Sequence, residues 1–424
     1  MTRSSKWIAC ALLFFATLLN YLDRQTISVS ASKIAEEMHL TDADLGRLFF
    51  GFLFAYGIAQ LFIGSLLDRH RVVAAYAIAV AAWSLVGASS VLATGFVMLF
   101  CTRLLLGVCE SPNWPLALRV TARIFPPSQR PFAIGVFQSG TSIGALIAPP
   151  IIIGLTQLWN WRVAFAACGA LGLIWAAIWL AWFRGHSGAS LDGSGGDQPA
   201  SLEHSPSENA PTPASLREIL RSRAFWGLVV ATSFLNPLQY FYTTWLPRYF
   251  EKYAGVGFGK ELAARLVLVY LALDLGLWIG GAGVIALARR WGVTRSRLMV
   301  AAVGTIGMMA IPAVSRLGSL NAITSILCAA TFGLGCFMVN YLSFVSEVST
   351  TRVSTAAGLL GGIGSLTGAG FMLLVGGTVF HTRGFDLAFL FAGAMPLIAF
   401  AGIWLSCSRV RDLAAGVSPA PELH

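Results

Sequence analysis

Apolar positions along this chain gather into runs of about 20 residues separated by short polar joints, enough to cross a hydrocarbon core as helix. Twelve such runs predict helices over 7–29, 44–67, 72–93, 96–119, 131–155 and 161–183, then 225–250, 262–288, 298–314, 320–345, 355–380 and 385–407. Between the two sets lies a polar stretch rich in Gly, Ser, Pro and Asp with no hydrophobic period, the composition of a flexible linker. The pattern therefore predicts an all-α membrane protein of twelve transmembrane helices in two pseudo-symmetric six-helix bundles. The expected domains are an N-terminal bundle over 1–184, a linker over 185–223 and a C-terminal bundle with a short tail over 224–424. Residues 215–223 read as a short amphipathic helix at the membrane surface.

The first run is longer than the 7–15 residues of a signal-peptide core, ends in Asp23-Arg24 and lacks a small-residue cleavage site. It reads as a retained helix. A mean hydropathy of +0.72, with only 11% charged residues, excludes an ordinary soluble domain, where about a quarter are charged. The formal charge of +10 is not a nucleic-acid footprint, because its cations follow the topology. With the amino terminus inside, cytoplasmic joints hold Arg69, Arg71, Arg119, Arg123, Arg130, Arg289, Arg290, Arg295 and Arg297 among others. The opposite joints hold about half as many, grouped around Arg248, Lys252, Lys260 and Arg265. The positive-inside rule then places both termini in the cytoplasm of a cell whose inner (plasma) membrane carries the protein.

All seven cysteines fall in apolar segments without metal-ligand spacing, and all six histidines fall in joints or tails. Neither a metal, a cofactor nor an enzymatic cluster is expected. Gly255-Val-Gly-Phe-Gly259-Lys260-Glu261 lacks the first Gly and the Ser/Thr of a phosphate loop, so no nucleotide-driven pump is indicated.

Four ionisable residues interrupt the apolar helices of the first half, Asp23 and Arg24 in the first and Arg103 and Glu110 in the fourth, while Asp274 in the eighth has no arginine near it in sequence and stays ambiguous. Such groups are expensive at bilayer depth and rarely lack a task. Arginine stays charged and offers a carboxylate two parallel donors, whereas a buried carboxylate can gain and lose a proton. Two of each suggest an anion path coupled to protons; static helix-packing ion pairs are the alternative. Arg103 and Glu110 are two turns apart on one helix face, while Asp23 and Arg24 diverge by about 100°. Counting rise from the helix entries puts Asp23 about 24 Å along its helix, Arg103 about 10 Å and Glu110 about 21 Å along theirs. With the first helix rising from the cytoplasm and the fourth descending, Glu110 should lie deeper than the other three. Neutral polar groups (Tyr21, Tyr56, Gln138, Asn236, Gln239, Tyr242, Asn340 and Ser343) could complete a cavity for a polyhydroxy acid, or simply bond helix to helix. Tyr240, Phe241, Tyr242 and Trp245 suit either stacking on a sugar face or bundle packing.

The two halves echo one another. Gly64-Ser-Leu-Leu-Asp68-Arg69-His70-Arg71 follows the second helix and Gly283 to Arg290 the eighth; Gly140-x3-Gly144 in the fifth matches the glycines at 358, 361, 362 and 364 in the eleventh. The chain thus resembles the major facilitator superfamily, with His70-Arg71 departing from its usual signature after the second helix. Asn20-Tyr-Leu-Asp23-Arg24, Arg103-Leu-Leu-Leu-Gly107-Val-Cys-Glu110-Ser-Pro112, Gly140 to Pro150 and Trp245-Leu-Pro247-Arg-Tyr249 are similar to its anion:cation symporter branch, most of all to bacterial hexuronate and related sugar-acid/proton symporters. That branch also contains animal sialic acid and glutamate carriers, but the seventh helix here has no arginine at membrane depth, Arg248 standing at its end, unlike the glutamate carriers.

The resemblance implies Arg24 for substrate, Asp23 and Glu110 for protons and Arg103 for the ion-pair network beside substrate, with Gln138 and Tyr56 the strongest of the neutral candidates. Asp68 and Arg69 would form a gating clasp. The expected partners are a small organic anion, protons and membrane lipid, with no nucleic acid, for a protein acting as a monomer. A drug/proton antiporter or a uniporter-like facilitator of the same fold is the rival reading.

Overall fold

The computed structural model describes residues 3–67, 71–126, 129–185, 220–347, 353–377 and 385–415. Every long element among them is α-helical. Among the described residues ten helices are long and apolar enough to cross a membrane. The other two expected spans, the fourth and the seventh, are both broken, and each break has a proline.

The helices of the first half are α1 (Arg3–Val29), α2 (Ala31–Met38), α3 (Asp42–Leu67), α4 (Val72–Ser89), α5 (Phe96–Glu110), α6 (Asn113–Ile124), α7 (Arg130–Leu158) and α8 (Trp161–Gly185). The single helix expected over 96–119 is therefore two. Pro112 cannot donate to the carbonyl of Val108 and its ring crowds that turn, so the ladder stops just after Glu110. The short α2 was not anticipated. It closes on His39 in the left-handed region (φ 52°).

The later helices are α9 (Arg223–Thr244), α10 (Leu246–Lys252), α11 (Lys260–Trp291), α12 (Val293–Met308), α13 (Leu320–Glu347), α14 (Val353–Gly376) and α15 (Asp386–Ala415). Here too the run over 225–250 is divided, between α9 and α10, with Pro247 in the first turn of the second piece. Pro149, Pro150, Pro237 and Pro396 remain inside helices, as spanning helices tolerate. The expected surface helix at 215–223 and the clasp residues Asp68 and Arg69 fall largely or wholly outside the described residues.

By its contacts the chain forms two compact units. One takes residues up to 199 with 239–271 and 365–388; the other takes 200–238, 272–364 and 389 onward. In the first, α1 lies along α7 because two glycines admit it. A Cβ at Gly140 would sit 2.5 Å from the carbonyl oxygen of Phe14, and one at Gly144 2.7 Å from that of Leu18. Gly140→Val should overpack this crossing and destabilise the protein by about 1–3 kcal/mol. A thermal melt in detergent that matches wild type would show that the crossing can relax.

Aromatic side chains lock the next helices. Trp175 stacks on Trp179 at 5.0 Å and Tyr76 meets both edgewise. The indole nitrogens donate to the carbonyls of Leu12 and Val73, each at 2.9 Å, tying α8 to α1 and α4. At one end of this unit α2 is stapled down: Arg162 donates to the Val91 and Ala93 carbonyls and pairs with Glu37, which also accepts from Trp161 at 2.6 Å. Beside it the buried Asp42 accepts from Arg248 at 2.8 Å and pairs with Lys252, clasping α3 to α10. Gly46 and Gly376 meet backbone to backbone, so α3 and α14 cross without intervening side chains. In the second unit Gly304 and Gly333 bring α12 against α13 in the same way.

Candidate functional site

Two turns before the end of α1 the sequence Asp23-Arg24-Gln25 points in different directions, as consecutive helical residues must. Asp23 turns into the bundle, 4% exposed, over Gly87 of α4. A Cβ on Gly87 would stand 3.0 Å from both carboxylate oxygens, so the glycine makes room for the acid. Asp23 interacts electrostatically with Glu110, Arg103 and Arg24, and neither arginine donates a hydrogen bond to its oxygens.

Arg24 turns toward α3 and α5. Its Nε donates to Glu110 Oε2 at 2.6 Å. The guanidinium is enclosed by three rings, with its carbon 4.5 Å from the Tyr56 centroid and 5.3 Å from those of Tyr21 and Phe52. Glu110 is fully buried while the Arg24 side chain keeps 16% exposure. The second carboxylate oxygen, Oε1, is buried without a partner.

This pairing spans the difference in level that counting rise gives the two residues. Helical side chains lean toward their own helix N terminus, and α1 and α5 run in opposite senses in the expected topology. Arg24 and Glu110 therefore lean toward each other across the gap that a count of Cα positions creates. Arg103, one face over, is 1% exposed. It donates to Ser90 at 2.9 Å and lies over the Phe165 ring, while its Nε has no partner.

A cavity of about 70 Å³ opens beside Arg24. Its walls come from Tyr21, Arg24, Gln25, Ile27 and Ser28 of α1, from Leu48, Phe49, Phe52 and Leu53 of α3, from Arg103, and from Gln239, Tyr240, Thr243 and Thr244 of α9. Of the residues singled out in the sequence, Tyr21, Arg24, Arg103, Gln239 and Tyr240 line it. Tyr56 and Glu110 stand behind the lining and touch it through Arg24, and the Asp23 charge acts on Arg24 and Arg103 from within the bundle. Gln138, Tyr242, Asn340 and Ser343 do not line it. Tyr242 is buried with an unpartnered hydroxyl and Gln138 with an unpartnered amide oxygen. In the second unit, Asn340 donates to the Cys336 carbonyl at 2.7 Å and Ser343 to that of Val339 at 2.9 Å.

Gln25, Ser28, Phe52, Thr243 and Thr244 were not singled out as lining residues. The signal for the first two was present: Tyr21, Arg24, Gln25 and Ser28 stand at i, i+3, i+4 and i+7, one helix face. Tyr240, read in the sequence only as an aromatic wall, has its hydroxyl 3.2 Å from Ser365 and a ring that fills the notch at Gly368.

These features define an all-helical, multi-pass membrane protein that keeps ion-paired side chains around an internal cavity. The family model described as Major Facilitator Superfamily matches residues 13–369. The chain is 28% identical to the hexuronate transporter of Escherichia coli K12, with 100% of this chain and 98% of that protein covered. It is also 28% identical to the galacturonate transporter of Dickeya chrysanthemi over 74% of this chain and 94% of that protein. A probable L-galactonate transporter of Escherichia coli K12 is 27% identical over 95% and 90%. Among solved structures, a bacterial homolog of the human lysosomal transporter Spinster, inward-facing and unoccupied, superposes with a TM-score of 0.75 at 20% identity, covering 99% of this chain and 100% of that one. This chain belongs to the major facilitator superfamily: it is a membrane transporter, not an enzyme.

Proposed function

We propose that this transporter carries a monocarboxylic sugar acid, a hexuronate or close relative, together with protons across the inner membrane by alternating access. The observation that carries the reading is the Arg24–Glu110 pair at the edge of a cavity, with Arg24 as the member left partly exposed. Three relatives along most of the chain are named for uronate or galactonate transport.

Charge balance supplies the coupling. In the empty site the Arg24 cation is balanced by the Glu110 anion. A proton on Glu110 removes that balance, and a substrate carboxylate at the exposed end of the guanidinium restores it. Proton without substrate leaves a buried cation unpaired; substrate without proton puts two anions on one cation. Both half-loaded states are costly away from water, so the two ligands travel together. Asp23 serves as the second proton site, and Arg103 holds the balance between the carboxylates. Tyr21, Tyr56 and Gln239 complete the binding surface around Arg24. Gln138, by resemblance, and Tyr242, Asn340 and Ser343, as polar groups that interrupt apolar helices, belong to the substrate path, and Asp68 and Arg69, at a helix end, to the gate. The halves are 1–184 and 224–424, joined by the linker 185–223, with both termini in the cytoplasm by the positive-inside rule.

A drug/proton antiporter would favour acids in an apolar cavity over two arginines, which argues for the anion reading. The test is uptake of labelled D-galacturonate into proteoliposomes under an imposed pH gradient. Accumulation should vanish when an ionophore collapses the gradient. Uptake indifferent to that collapse would refute proton coupling.

A further inference from the structure

Gln25 is 4% exposed and lines the cavity immediately beyond Arg24, yet its carboxamide oxygen is buried without a hydrogen-bond partner. A buried polar atom left unmade costs its desolvation, and native structures seldom leave one idle. Across the described cavity, Gln239, Tyr240, Thr243 and Thr244 of α9 form the facing wall. Thr243 already donates to the Gln239 carbonyl at 2.9 Å, so its hydroxyl is committed within α9. None of these side chains reaches Gln25 with a hydrogen bond. What the carboxamide oxygen lacks is a donor, and the site offers no cation but the two arginines.

We infer that Gln25 is a specificity-determining residue, whose carboxamide oxygen accepts a hydrogen bond from a hydroxyl on the substrate's carbon chain while Arg24 holds the carboxylate. The inference rests on the sugar-acid reading above and narrows it to acids hydroxylated near the carboxyl end. Arg24 and Gln25 are consecutive, so the two recognition points lie a few bonds apart on a ligand. One helical turn further, Ser28 continues the same face. A carboxylate with an alkyl chain would leave the amide oxygen dry and unpaired; a hydroxylated chain supplies the missing donor.

The experiment is inhibition of D-galacturonate counterflow in proteoliposomes by D-galactonate and by its series of single-deoxy analogues. It is run on wild type, Gln25→Met, which keeps the side-chain length, and Gln25→Asn, which keeps the amide. Wild type should prefer galactonate over one member of the series by about three- to tenfold, the range of a single net hydrogen bond. Gln25→Met should erase that preference while binding the deoxy acid as wild type does, and Gln25→Asn should retain part of it. A preference unchanged in Gln25→Met overturns the assignment alone. So does an equal loss for hydroxylated and deoxy acids, since that marks a merely structural role. A wild type that takes galactonate and every deoxy analogue alike also overturns the assignment alone, whereas the absence of D-galacturonate counterflow in wild type overturns the transport reading itself, and the Gln25 assignment with it.

Discussion

Arg24→Lys should lose transport by about 100-fold or more, close to 3 kcal/mol, although the charge is kept. The guanidinium performs two tasks at once. Its Nε edge holds Glu110 at 2.6 Å, and its remaining nitrogens are the cation that the cavity offers a carboxylate. A planar group also suits the enclosure by Tyr21, Phe52 and Tyr56. An ammonium is a point donor on a flexible stem: it can satisfy Glu110 or a ligand, but not both in a fixed fork. The measurement is initial uptake in proteoliposomes, with a thermal melt to confirm folding. Wild-type KM in the lysine variant would reduce Arg24 to a plain positive charge.

Glu110→Gln should separate movement from work. Glutamine resembles the protonated acid in shape and donor capacity, but it cannot titrate. Exchange of labelled for unlabelled substrate needs only binding and reorientation of the loaded carrier, so counterflow should persist. Accumulation driven by a pH gradient needs the proton to leave, so it should fall to background. Asp23→Asn should damage both activities, because the Asp23 carboxylate faces Glu110, Arg103 and Arg24 together. Counterflow and gradient-driven uptake measured side by side on both variants decide the matter. If Glu110→Gln still concentrates substrate at wild-type rates, Asp23 becomes the obligatory proton site.

Much of the architecture was readable because lipid imposes a length and a polarity on every span. The four buried charges stood out for the same reason: an apolar helix makes an arginine conspicuous. What the pattern concealed were features that do not disturb hydropathy. Phe52 forms one wall of the Arg24 enclosure, yet a phenylalanine in an apolar helix carries no signal. Gln25 was overshadowed by the charged pair before it, although its spacing from Tyr21 placed it on the same face. Pro112 was visible in the sequence, but prolines 149, 150, 237 and 396 sit inside intact helices. A proline alone therefore does not locate a break. That Arg24 and Glu110 meet was not legible from counting rise, which follows the backbone and ignores which way a side chain leans.

The clasp of Asp42 with Arg248 and Lys252 bears on how the transporter meets media of different salinity. Exposed ion pairs weaken as salt rises, since the Debye length falls from about 30 Å at 0.01 M to about 3 Å at 1 M. The Asp42 side chain keeps only 2% exposure and that of Arg248 14%, so mobile ions have little access to that pair, whereas Lys252, 44% exposed, adds a contact that salt can screen. The exposed Lys33–Glu36 pair nearby has no such shelter. Of the two contacts that fasten α3 to α10, Asp42–Arg248 is thus the one whose strength dilute and concentrated solutions change least.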